Sequence, residues 1–243
     1  MYIEDLIPGV VDKLRGRSDL STYGGIPGSD IPSWIYLAIK DLTPSYPFEE
    51  LIMKGPYVNF IVGQAEYLVN YFLPTDDTRW TQVRSFFRFF VTDNPPRTQA
   101  TNTVGNQLKT RTTPVVEPMS TIPGIPQYWN QNGNTLLFGF QPDQAYTVFM
   151  RYQRPHPFDT DNLPASQVYM PDDWREIITY AAAIKGCDYL GMNDVGMRYY
   201  QLLHGDPKNP GSIGLLQARG SQMRRNLSNN ERQMVPVVRR FTG

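Results

Sequence analysis

The sequence predicts an α+β protein: a helical bundle formed by the N- and C-terminal helices, an inserted antiparallel β domain of sandwich- or barrel-like form, and an extended C-terminal arm. Apolar residues recur every three or four positions near both ends of the 243-residue chain and alternate in the middle. The last residues are basic and contain few large apolar side chains. The predicted boundaries are 1–55 and 156–205 for the bundle, 56–155 for the β domain and 206–243 for the arm.

Two helices are predicted in the first part of the chain. Apolar residues at spacings of three and four between Ile3 and Leu14 predict the first helix, and Pro8 either kinks it or marks its true start. The second helix begins after Asp30, which can cap it, and has Pro32 in its first turn. Its apolar stripe consists of Ile31, Trp34, Ile35, Ala38, Ile39 and Leu42. Residues 48–53 are predicted to add one helical turn.

The middle of the chain is predicted to contain strands at 57–62, 67–73 and 81–91, because these runs are rich in β-branched and aromatic residues. The third run alternates, and one of its faces carries Val83, Phe87, Phe89 and Val91. The other face carries Arg84, Phe86, Arg88 and Phe90. Two phenylalanines are costly to leave in water, so we expect this second face to be covered by a loop or by another subunit.

Residues 94–126 are predicted to form one long irregular loop, since they are rich in Thr, Asn, Gln and Pro. Strands at 127–131 and 134–140 then flank Asn132 and Gly133, a type I′ hairpin signal. In the second of these strands, Leu136, Phe138 and Phe140 are expected to share one face. A third strand alternates through Tyr146, Val148, Met150 and Tyr152. These patterns together predict a three-stranded meander.

Two more helices are predicted after an irregular stretch at 154–170. Asp172 and Asp173 suit the first turn of a helix whose buried stripe is Trp174, Ile177, Ile178, Ala181 and Ile184. A last helix at 195–204 is expected to bury Tyr199, Tyr200 and Leu203. Residues 205–214 end it, and the remainder cannot form a core of its own, so we expect it to be ordered only on a partner. Residues 234–241 have the pattern of a short strand that pairs with the edge of another sheet.

Composition excludes several classes of protein. Acidic and basic residues number 23 each, so the chain as a whole is not a polycation for nucleic acid or membranes. One Cys and two His exclude a disulfide framework and a Cys/His zinc site within one chain. No apolar run is long enough to span a membrane, and the first twenty residues do not resemble a signal peptide. Residues 207–243, however, carry seven basic residues and one acid, so an acidic body precedes a basic tail.

Candidate catalytic residues are few, and each has a simpler structural explanation. The carboxylate pairs Asp76–Asp77 and Glu49–Glu50 could serve a glycosidase. Asp76 and Asp77 are expected near a strand end, where adjacent residues point to opposite faces, so turn and cap chemistry explains them. His156 and His204 could act as general bases, although a loop position and a helix end explain them. Cys187 lies in an apolar helix and is interpreted as a core thiol. The Gly-rich runs at 24–28 and 211–214 lack the features of a phosphate-binding loop.

The aromatic and Arg face of residues 81–91 leaves three interpretations open. It could stack bases or sugars, form a subunit interface, or be an ordinary sheet surface. The chain has far more Arg than Lys, 17 against 6, which favours an interface or phosphate contacts.

An ordered series of short motifs resembles the head-to-tail adaptor proteins of short-tailed bacteriophages over about residues 30–204. The motifs are Ile-Pro-Ser-Trp-Ile at 31–35, Tyr-Pro-Phe-Glu-Glu-Leu at 46–51, Gly-Gln-Ala-Glu-Tyr at 63–67, Leu-Pro-Thr-Asp at 73–76, Gly-Ile-Pro-Gln-Tyr at 124–128, Gly-Asn-Thr-Leu-Leu-Phe at 133–138, Gln-Pro-Asp-Gln-Ala-Tyr at 141–146 and Met-Pro-Asp-Asp-Trp at 170–174.

The resemblance implies a structural virion protein, made in the host cytoplasm and located at the portal vertex, with no enzymatic activity, cofactor or metal. It implies a ring, typically of twelve copies, that docks under the portal protein and provides the platform for tail nozzle or tail fibre proteins. Genomic DNA would pass through the ring, and no membrane contact is implied. A heterologous contact between copies closes such a ring.

Two surfaces are predicted to serve this role. The portal-contact arm would use Arg219, Arg224, Arg225, Arg232, Val237, Arg239, Arg240 and Phe241, and the subunit or tail interface would use Arg84, Phe86, Arg88 and Phe90. Arg side chains at either surface can grip carboxylates on a partner. Two alternatives stay open: a carbohydrate-binding or glycan-degrading tail module, and nucleic-acid contact through the basic tail.

Overall fold

The computed structural model describes residues 1–22, 28–46, 48–74, 88–92, 106–111, 113–209 and 211–223. Its helices are α1 (Ile7–Lys13), α2 (Ile31–Leu42), α3 (Thr113–Met119), α4 (Arg175–Tyr189), α5 (Asn193–His204) and α6 (215–223). Its strands are β1 (Ile52–Lys54), β2 (Val58–Asn59), β3 (Glu66–Leu68), β4 (Arg88–Thr92), β5 (Asn106–Gln107), β6 (Lys109–Thr110), β7 (Pro123–Gly124), β8 (Tyr128–Asn132), β9 (Thr135–Gly139), β10 (Gln141–Pro142) and β11 (Thr147–Gln153). The α+β class is confirmed.

The described residues divide into two compact units, one of residues 1–51 and 155–223 and the other of residues 52–154. Each unit has a hydrophobic core of its own. The bundle with an inserted β domain, and the four boundaries expected from the sequence, stay predictions.

Helix α4 is the centre of the first unit, because α1, α2 and α5 all pack against it. The predicted features of α2 are confirmed: the Asp30 carboxylate accepts a hydrogen bond from the Ser33 backbone N–H at 2.9 Å, and all six residues of the stripe are buried. Pro8 is the second residue of α1, so it marks the start of that helix. The predicted turn at 48–53 divides into a 3-10 turn, Glu49–Leu51, and the beginning of β1.

Two predicted helix faces require correction. In α4 the buried residues are Ile177, Ile178, Thr179, Ala182, Ala183, Gly186 and Cys187, whereas Ala181 and Ile184 are only half-buried. In α5 Leu203 is buried, but Tyr200 is 45% exposed. In both helices the small residues Gly186 and Gly196 lie on the buried side, and a pattern based on large apolar residues overlooks them.

The second unit contains two main sheets and a small one. The first has the order β1-β11-β4-β5, and β2 continues the edge that β1 forms along β11. The second has the order β3-β9-β8-β6, in which β6 runs parallel to β8 and the other pairs are antiparallel. Strands β7 and β10 form a parallel pair. Within the described residues no sheet closes into a barrel.

The predicted meander is wrong. Strands β8 and β9 form the expected hairpin, but β11 pairs with β1, β2 and β4 in the other sheet. The chain turns away after β9 at Phe140, which has a φ of 64° and is therefore not on the strand face expected for it. The hairpin turn is also shifted by one residue: Gly133 and Asn134 are its central residues, and only Gly133 has positive φ, as in a type II′ turn.

Two other predicted segments differ from the structure. Residues 67–73 continue as a strand only to Leu68, after which Val69–Phe72 form a 3-10 turn that buries Val69 and Phe72. The described part of the predicted loop at 94–126 contains β5, β6, α3 and β7. The strands among them have two residues each and depend on pairing with other strands, so local periodicity does not reveal them.

Candidate docking surfaces

The predicted arm does not begin as an extended segment. Residues 215–223 form α6, and Leu216, Gly220 and Met223 direct one helix face to the core of the first unit. Leu216 is 9% exposed, and Gly220 lies so close to the Tyr46 ring that a Cβ atom would collide with it. This packing holds residues 215–223 against the helical unit.

Arg219 is the residue of the predicted portal-contact arm that the structure describes. Its guanidinium lies 3.4 Å from an Asp173 carboxylate oxygen and donates a hydrogen bond to the Gln222 side chain at 3.2 Å. Both ionic groups are about half exposed, so the pair contributes little to stability. Arg219 therefore contacts the chain's own surface. The other predicted arm residues lie outside the described part of the chain: Arg224, Arg225, Arg232, Val237, Arg239, Arg240 and Phe241.

The second surface is a face of the first sheet of the β unit, where cations lie over aromatic rings. Phe90 of β4 and Phe149 of β11 are directly opposite each other, and their rings are stacked with centroids 4.9 Å apart and planes 8° from parallel. Lys54 Nζ lies 4.6 Å from the Phe149 ring centroid, and the Arg151 guanidinium lies 5.3 Å from that of Phe90. Tyr57 packs edge-on against Phe149. We call Lys54, Tyr57, Phe90, Phe149 and Arg151 the basic-aromatic face.

The structure places the four predicted interface residues as follows. Arg84 and Phe86 lie outside the described residues. Arg88 lies in β4, where its backbone is the register partner of Arg151 in β11. Phe90 is half-buried, so it is partly covered from within the same unit, and its neighbours Phe89 and Val91 point into the core as predicted. Sequence reasoning missed Lys54, Tyr57, Phe149 and Arg151. The sequence predicts strands around β2, β4 and β11, but it does not show that they pair with one another.

Both histidines pack against a neighbouring aromatic ring. His156 is 8% exposed, its Nε2 accepts a hydrogen bond from the Tyr169 backbone N–H at 2.8 Å, and its ring stacks on Phe158. His204 ends α5 and stacks on Tyr200 with centroids 4.3 Å apart. Partial burial lowers the pKa of His204. This effect is larger than the stabilisation that the C-terminal end of a helix gives to a protonated imidazole.

The remaining candidates for chemistry do not form a site in the described structure. Cys187 is fully buried, and burial raises its thiol pKa, with a smaller contribution from the Asp188 carboxylate. Glu49 and Glu50 are exposed in a 3-10 turn, and Asp76 and Asp77 lie outside the described residues. In the described ranges no three His, Cys, Asp or Glu residues are grouped so that they could hold a metal ion. None of the described helices is long and apolar enough to cross a membrane.

The described surface includes a packed helix at 215–223 and a cationic sheet face. The chain matches the SU10 adaptor protein family over residues 2–230 and belongs to that family of structural phage adaptors. A comparison with curated proteins gives no match. The family assignment confirms the phage adaptor class expected from the sequence motifs.

Proposed function

We propose that this protein is a head-to-tail adaptor of a short-tailed phage, which assembles as a ring, typically of twelve copies, on the portal protein. The ring carries tail nozzle or tail fibre proteins below the portal, and the genome passes through it. The family match over nearly the whole chain is the observation that carries the proposal.

The C-terminal segment is the proposed portal contact. Residues 224–243 carry five basic residues and one acid, and they follow directly on α6, which packs against the helical unit. The packed helix holds the residues just before the segment, and the Arg side chains of the segment can form paired hydrogen bonds with carboxylates of another subunit. Several copies of a weak segment on one ring bind together much more tightly than one copy does.

The position of α6 defines the truncation that tests this proposal. A chain that ends at Met223 keeps the packing of Leu216 and Gly220 and removes only residues 224–243. We expect it to keep its thermal unfolding midpoint and to lose most of its association with purified portal in a sedimentation assay. Replacing Arg224, Arg225, Arg232, Arg239 and Arg240 by Gln in the full chain is the matched variant, since it removes charge and keeps length. Undiminished portal binding by the truncated chain would overturn the role of the segment.

A further inference from the structure

Strand register brings two cationic residues opposite each other across the first sheet of the β unit. Lys54 of β1 is the register partner of Arg151 of β11. Residues directly opposite each other in antiparallel strands share a face, and like charges in such positions destabilise the sheet. Among the described residues, no carboxylate lies within ion-pair distance of Lys54 or Arg151. This pair of cations therefore has a cost that the described structure does not offset with acids.

The central ring of the face is closed to a stacking ligand, and each ring beside it already has a cation over it: Lys54 Nζ lies 4.1 Å from the Tyr57 ring centroid, and the Arg151 guanidinium lies over Phe90. Phe149 is only 5% exposed, because Lys54, Tyr57 and Phe90 all pack around it. Recognition of bases or sugars by stacking needs an open ring face. The basic-aromatic face presents positive charge outward and uses its rings to hold the cationic side chains in place. Its ligand is therefore an anionic surface rather than a planar ring.

The chain itself contains a surface of the opposite sign. Residues 1–51 and 155–223, the helical unit, contain 16 acidic and 9 basic residues, whereas residues 52–154, the β unit, contain 6 acidic and 9 basic residues. The net charges are thus −7 and +3. In a closed ring built from one kind of chain, each copy meets its neighbour with two different surfaces. Opposite charges on the two units suit a contact of this kind and disfavour contacts between like units.

We propose that the basic-aromatic face binds the acidic helical unit of a second copy of this chain, with Lys54 and Arg151 paired to its carboxylates. This inference rests on the proposed function, because it names the contact that closes the ring. The carboxylates that surround the two cations in the assembly offset the repulsion between them. The aromatic rings limit the motion of both side chains, so little conformational entropy is lost when the pairs form.

Charge reversal of the face tests the proposal. We expect K54E/R151E to weaken self-association in the presence of portal by about tenfold or more, measured by mass photometry or sedimentation velocity. K109E/R111E is the matched control, since it changes the same charge in the other sheet, where Arg111 also lies over a ring, that of Tyr128. The neutral variant K54Q/R151Q, checked by circular dichroism, separates loss of contact from loss of fold. Equal weakening by the control pair would overturn the proposal.

Zero-length carbodiimide coupling identifies the partner directly. In complexes assembled from mixed unlabelled and ¹⁵N-labelled chains, we expect Lys54 to couple to Asp or Glu of residues 1–51 or 155–223 of a differently labelled copy. Coupling of Lys54 to portal or tail peptides only would overturn the assignment to a second copy. A salt-dependent affinity for duplex DNA that K54E/R151E abolishes, with assembly intact, would assign the face to nucleic acid instead.

Failure of this inference and failure of the proposed function give different results. If the wild-type chain forms a ring on portal and K54E/R151E forms the same ring with the same affinity, only the assignment of the face is wrong. If the wild-type chain stays a monomer in the presence of portal at every concentration, the adaptor ring itself is wrong, and the inference is overturned with it.

Discussion

Gly186 of α4 packs directly against the indole of Trp34 of α2. A Cβ atom at position 186 would lie 2.8 Å from Trp34 Cε3 and 2.9 Å from Leu14 Cδ1, closer than real Cβ atoms approach other atoms. Trp34 is 1% exposed and Leu14 is fully buried, so neither side chain can move into solvent. The absence of a side chain at Gly186 thus allows α1, α2 and α4 to pack closely. Leu14, which makes the contact next to α1, is the residue directly after that helix.

The variant G186A is therefore expected to destabilise the protein by about 1–3 kcal/mol, because the added methyl group overpacks the core. Helix propensity alone predicts the opposite, since Ala in a helix interior is favoured over Gly by about 1 kcal/mol. The matched variant A181G, at a half-buried position of the same helix, should lose about that propensity difference. Urea unfolding measures both variants, and a stabilised G186A would contradict the packing described here.

A second prediction concerns Gly220 and the packing of α6. A side chain at this position collides with the Tyr46 ring, so G220A is expected to release α6 while the rest of the helical unit stays folded. Hydrogen exchange of peptides covering 215–223 should become faster, and exchange in α2 and α4 should not change. S221A, at the neighbouring exposed position, is the control and should leave α6 protected. Unchanged exchange in G220A would show that Tyr46 does not hold the helix.

The lowered pKa of His204 predicts a weak dependence of the protein's folding stability on pH. Partial burial lowers its pKa below the ordinary value of 6.5, so the unfolded chain binds more protons than the folded chain between the two values. Stability is therefore present in full above the unfolded pKa and decreases as pH falls through that value towards the folded pKa. The effect is small, because much of the ring remains exposed. H204F keeps an aromatic ring against Tyr200, and thermal unfolding across this range should show a flatter profile for this variant.

Cys187 is expected to be inert in the native protein. It is fully buried in the helical core and burial raises its thiol pKa, so both access and thiolate formation are restricted. A disulfide reagent such as DTNB should react with it only as fast as the helical unit opens, and should react at once in denaturant. Rapid modification of the folded chain would contradict the burial of this thiol.

The amino-acid sequence by itself determines most of the helices in the described part of the chain, because their signals are local. The start of α2 depends on the Asp30 carboxylate and Ser33, three residues apart, and its stripe depends on spacings within one helix. Such contacts lie within a few residues, so sequence periodicity and capping residues are sufficient to predict them. The order of short motifs along the chain likewise predicts the phage adaptor class.

Only the tertiary structure decided which strands pair, and with them the composition of the basic-aromatic face. Lys54, Phe90 and Arg151 are far apart in the sequence and come together because β11 lies between β1 and β4. Helix α6 escapes sequence-based prediction for a related reason: its packing uses Leu216 and the absence of a side chain at Gly220, and neither forms a strong apolar pattern. Strand pairing and close helix approach depend on shape and register between distant segments, and a linear pattern of residue types contains neither.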